Sequence, residues 1–124
     1  MKVRYDELIP AREALTRIQD KPLPIKSSLA VARLAHKFDD EIKTFASVRE
    51  GLKKKYSIEF KAGDDGNTEF VSNKKDNVDK FSREFEELLG QEVEIVFDKI
   101  NLPDSLEIEP SILMVLDKFV IIKE

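Results

Sequence analysis

The sequence predicts an α+β fold, mainly helical, with antiparallel helices around one long central helix, a small β element and a short C-terminal helix. Three observations predict it. From residue 26 to residue 56 the apolar residues keep the three-four spacing of one helix face, without a proline. Short stretches near 57–71, 92–98 and 106–109 instead alternate with a period of two. Pro22, Pro24, Gly63, Gly66, Gly90 and Pro103 fall between these periodic segments, where the chain must turn.

The elements follow in order. Tyr5, Leu8, Ile9, Ala11, Leu15 and Ile18 fit an amphipathic helix over about 6–19, with Pro10 near its first turns. Pro22 and Pro24 cannot continue it, so a short connector should return the chain antiparallel. The central helix runs from Ile25 to Lys55, roughly 45 Å at 1.5 Å per residue. Val31, Phe38, Phe45 and Leu52 recur along it every seven residues, and Leu34, Ala35, Ile42, Val48 and Tyr56 fill the same stripe. Residues 57–61 alternate like a strand, Gly63-Asp64-Asp65-Gly66-Asn67 reads as a turn, and Thr68 to Val71 returns, giving a hairpin over 57–71 or an excursion loop. Ser72 or Asn73 then caps a helix over 74–89, on which Val78, Phe81, Phe85 and Leu88 share a face, and Gly90 closes it. A half-buried strand is expected over 92–98, a turn over 102–105 and a second strand over 106–109. Pro110 suits the first position of a terminal helix ending near Val120.

A chain of 124 residues suits a single domain over 1–124. Without cysteine it has no disulfide scaffold, thiolate metal site or cysteine nucleophile. The N-terminal residues lack the apolar core of a signal peptide, and no apolar run approaches the ~20 residues of a membrane span. The expectation is a cytoplasmic protein without a membrane partner.

The net charge of −4 conceals an asymmetry: residues 1–62 sum to +5 and residues 63–124 to −9. Such blocks are usually solvated faces, here a basic helix pair against an acidic half. A head-to-tail contact between copies is the sharper alternative, weakened by salt. The first and third helices together span the central one, so a single chain can cover its own stripe. The C-terminal segment is harder to cover, because apolar residues fall on every side of it. It is either core or a subunit interface, and Ile112, Leu113, Leu116, Phe119 and Val120 are the candidate interface residues.

No catalytic, cofactor-binding or metal-binding residue stands out. His36, the single histidine, lies at the border of the apolar stripe with no local triad partner. Asp39, Asp40 and Glu41 are consecutive on a helix and point apart, and Asp64 to Asn67 lacks the alternating oxygens and terminal glutamate of a calcium loop. Lys53, Lys54, Lys55, Lys74 and Lys75 form a candidate basic surface. The acidic overall balance and the lack of an aromatic-rich basic strand argue against nucleic acid as its partner.

The order of a short helix, a Leu-Pro connector, a long helix ending in Val48-Arg49-Glu50-Gly51-Leu52-Lys53-Lys54-Lys55-Tyr56, an Asp-Gly turn, Phe81 to Leu89 and Glu92-Val93-Glu94-Ile95 resembles small uncharacterised proteins encoded by tailed bacteriophages and prophages. The resemblance spans nearly the whole chain and implies a phage accessory or virion-associated protein. The expected function is non-catalytic: binding a protein partner, as a modulator or inhibitor of a host defence or transcription factor, or sequestering a small signalling molecule between subunits of a homo-oligomer. A virion or morphogenesis component is the alternative, and a small enzyme the second alternative.

Overall fold

The computed structural model describes residues 1–62, 68–71 and 75–123. Along the chain lie β1 (Lys2–Arg4), α1 (Tyr5–Gln19), α2 (Ile25–Lys55), β2 (Glu59–Ala62), β3 (Thr68–Val71), α3 (Lys75–Leu89), β4 (Glu92–Glu94), β5 (Ile100–Pro103), α4 (Pro110–Leu116) and β6 (Val120–Lys123). The fold is α+β and mainly helical, with α2 as the long central helix. The packing divides into two compact units, one of residues 1–42 and 92–124, the other of residues 43–91.

In the first unit, Asp20 caps α1, the Lys21 N–H bonds the Ile18 carbonyl at 3.0 Å, and the two prolines then redirect the chain. The return is antiparallel. Tyr5 donates to Glu41 at 3.1 Å, and the Arg12 guanidinium grips both Asp39 oxygens at 2.7 and 3.2 Å. Between these helices lie Leu8, Leu15 and Ile18 of α1 and Val31, Leu34 and Phe38 of α2, all essentially without solvent contact. Each such side chain contributes about 1.5–3 kcal/mol of burial. Phe119 completes the core, its ring edge-on to Phe38 at 5.3 Å and tilted against Phe97 at 5.4 Å. Pro10 stands in the second turn of α1 rather than the first, so the Asp6 carbonyl loses its helical donor.

Two small sheets belong to this unit. β1 pairs antiparallel with β4, Val3 opposite Val93, and the Ile95 N–H extends the ladder to the Met1 carbonyl. Three residues running straight into a helix are too few for periodicity to reveal β1. β5 pairs in parallel with β6, Ile100 opposite Val120 and Leu102 opposite Ile122, and α4 lies in the crossover that a parallel pair requires. Three sequence expectations are corrected here. The strand expected over 92–98 stops at Glu94. Residues 106–109 form no strand, their alternation reflecting Leu106 and Ile108 packed on the core, while the strand forms at Ile100–Pro103. The terminal helix stops at Leu116, and the β-branched run from Val120 to Ile122 becomes strand.

In the second unit, Phe45, Ile58 and Phe81 are buried. Phe85 stacks on Phe81 at 5.6 Å and meets the Phe45 ring edge-on at 5.9 Å. Val48, expected in the stripe, is 45% exposed. β2 and β3 form the expected antiparallel hairpin, Glu59 opposite Val71 and Ala62 opposite Thr68. The turn expected over Gly63 to Asn67 and the caps Ser72 and Asn73 lie outside the described residues. The hairpin begins at Glu59 because Ser57 and Ile58 close α2 in a Schellman motif. The Ile58 N–H reaches the Lys53 carbonyl at 2.8 Å, the Ser57 N–H reaches the Lys54 carbonyl at 3.3 Å, and Ile58 buries its side chain. Gly90 after α3 needs no such conformation: a Cβ there would sit 3.6 Å from the Glu86 carbonyl, in ordinary contact.

The Schellman position is strained. Ser57 has φ 53, the left-handed region in which a Cβ costs roughly 1–2 kcal/mol. Ser57→Gly should therefore raise stability by about 1 kcal/mol, read as a higher urea midpoint at unchanged slope. An unchanged or lower midpoint would show that the serine makes a compensating contact.

Candidate functional site

The five apolar candidates of the C-terminal segment do not form an outward surface. Ile112, Leu116, Phe119 and Val120 are buried in the core of the first unit and Leu113 is half-buried. Ile112, Leu116 and Phe119 follow one another at four and three residues, the inward face of α4 and the turn after it. The opposite side is exposed: Met114 is 80% and Val115 38% accessible. The i, i+4, i+7 pattern was available in the sequence, but the apolar residues on the other side masked it.

Met114 and Val115 overlook a hollow of about 300 Å³ between α1 and α4, with Pro10 across from them and Asp6, Glu7 and Asp117 on its rim. A second hollow of about 190 Å³ continues from it, sharing Pro10 and Val115 and adding Glu13, Arg17 and Ser111. Arg17 lies 3.9 Å from Glu13 and 3.7 Å from Glu109. Together they make a shallow groove, apolar along its centre and charged along its edges.

Glu7 secures the α1 end of this groove. It accepts the Arg4 backbone N–H at 3.4 Å, as the third residue of a capping box does, and it also accepts a hydrogen bond from Lys118. The Lys118 bond is the main reason that the Glu7 carboxyl is held below the ordinary glutamate range. Asp6, beside it, is likewise lowered, chiefly by the Arg4 guanidinium. Sequence reasoning did not single out Glu7, because its partner Lys118 lies 111 residues away.

The candidate basic surface is partly neutralised. Lys53 lies 3.4 Å from Glu50, and Lys55 lies 3.3 Å from Glu84 on the acidic α3. Lys54 is exposed, Lys74 lies outside the described residues, and Lys75 opens α3. His36 is exposed on α2, and Asp39 is engaged by Arg12. Among the described residues no group of three or more His, Cys, Asp or Glu is placed to hold a metal ion. No helix among them is long and apolar enough to cross a membrane. Comparisons with protein-family models, curated proteins and solved structures found no match to this chain.

Two predictions follow from this geometry. Leu116 has no solvent exposure, so Leu116→Glu places an unpaired charge in the core and should abolish the cooperative unfolding transition at ordinary temperature, measured by circular dichroism. A folded variant would mean that the α4 helix can leave the core. The second concerns acid. Ionised Glu7 is favoured in the folded chain, so its contribution is present above about pH 4.5 and is lost as pH falls through its lower folded value. Lys118→Met should lower the melting temperature at neutral pH and flatten its decline below about pH 4.5; an unaltered acid profile would discount the pair.

Proposed function

We propose that this protein acts by binding, as a phage-encoded accessory protein that engages a protein of the host and modulates or inhibits it, without catalysis. The groove between α1 and α4 is the supporting observation. A methionine 80% exposed beside a half-open valine keeps apolar surface in water at the centre of a charged rim. Methionine suits adaptable contact surfaces, and exposed apolar patches rimmed by polar groups mark interaction sites. The host cytoplasm is then its place of action, and a defence or transcription factor its class of target, as the phage resemblance implies.

Tagged protein exposed to a host lysate should retain a stoichiometric partner, and Met114→Asp should release it while leaving the melting temperature unchanged, since the side chain contacts mainly solvent. Equal capture by both proteins would remove the groove from the reading. Appearance of the protein late in infection and in purified particles would replace the modulator with the alternative, a virion or morphogenesis component.

A further inference from the structure

The groove between α1 and α4 has the spacing and the charge to receive a third helix. The two helices run antiparallel along it: Lys118 meets Glu7 at one end, and Arg17 meets Glu109 at the other. The α1 wall carries Glu7, Pro10, Ala14 and Arg17, and the α4 wall Ser111, Val115 and Lys118, each row at the three-four spacing of one helix face. From Glu7 to Arg17 the floor runs about 15 Å at 1.5 Å per residue, close to three turns. A trough between two such rows is where another helix lays a row of its own side chains.

Charge decides which helix fits. Arg4 holds Asp6, Lys118 holds Glu7, and Arg17 is shared by Glu13 and Glu109. Asp117 has no ion pair among the described residues, so five carboxylates stand against three cations and the groove is net negative. Asp117 is also the C-cap of α4, the end at which a helix dipole disfavours an anion. Asp6, whose carbonyl lacks a helical donor because of Pro10, lines the same hollow. Both features call for a cationic donor. We propose that the segment of the partner protein that enters this groove is a basic amphipathic helix, its apolar row on Pro10, Met114 and Val115 and its Lys or Arg side chains facing Asp117 and Glu13. This rests on the groove being the docking site and adds the chemistry of what docks there. An acidic helix of the same form would bring like charges to the rim and leave Asp117 uncompensated.

The test is a display library of random peptides of about 16 residues, room for four helical turns. It is selected on the full chain and depleted on Met114→Gln/Val115→Gln, which removes the apolar row without changing charge. The peptides that remain should carry apolar residues at helical spacing, no interior proline, and an excess of Lys and Arg over Asp and Glu. A synthetic copy of the most frequent one should lose about tenfold in affinity for Asp117→Lys/Glu13→Lys, and added salt should weaken its binding to the unaltered chain more than to this variant. Groove-dependent peptides without the cationic excess, or with equal affinity for the charge-reversed protein, overturn the proposal and leave the groove as the docking site. Groove-dependent peptides with interior prolines, which bind as extended chains, overturn it as well. If no peptide separates the full chain from the Gln variant, the groove and the proposal fall together. Should the paired Gln variant melt below the unaltered chain, Met114→Gln alone serves for the depletion, since that side chain is 80% exposed.

Discussion

The first unit depends on one aromatic contact. Phe119 follows α4, immediately before β6, and its ring is held between Phe38 of the central helix and Phe97 of the segment that leads to β5. Three segments far apart in sequence therefore share one buried ring. An aromatic ring brings a large apolar area and a preference for edge-on or tilted neighbours, so it fixes orientation as well as proximity. With Phe119 placed, Leu116 and Ile112 turn inward one and two helical turns earlier, and Val120 turns inward in β6. What remains of the C-terminal segment, Met114, Val115, Ile121 and Ile122, has no side left to occupy but the solvent side.

The exposed surface is thus a consequence of core packing. A segment rich in apolar residues on all sides cannot bury them all against a chain of this size, and the fold leaves the remainder in two places of different chemistry. On α4 the remainder faces a groove whose charged rim is held in position by Glu7 and Lys118. On β6 it lies on a strand that, among the described residues, pairs with β5 alone. Polar contacts settle which edges are closed. Ser27, a buried hydroxyl on the first turn of α2, satisfies a β5 carbonyl that would otherwise stand open.

The second unit shows the same principle with fewer residues. Phe45, Phe81 and Phe85 make its aromatic cluster, and Ile58 anchors the chain as it leaves α2. The strained Ser57 is retained between the helix and the hairpin because the two hydrogen bonds of the Schellman motif and the burial of Ile58 hold it there.

The sequence by itself determined the α1, α2 and α3 helices and the return at Pro22 and Pro24, and it pointed to the hairpin, since these follow from local periodicity and turn chemistry within a few residues. Only the tertiary structure decided which half of the C-terminal segment is core, that Leu106 and Ile108 flank a core without forming a strand, and that Ile100–Pro103 and Val120–Lys123 pair in parallel. Alternation reports that one face of an extended segment is buried, but a strand needs a neighbour, and the neighbour here is reached through a helix. The same holds for Glu7 and Lys118 and for Ser27 and Asn101. Their residue types are ordinary surface or cap residues in sequence, and the hydrogen bonds that give them roles join positions that only folding brings together.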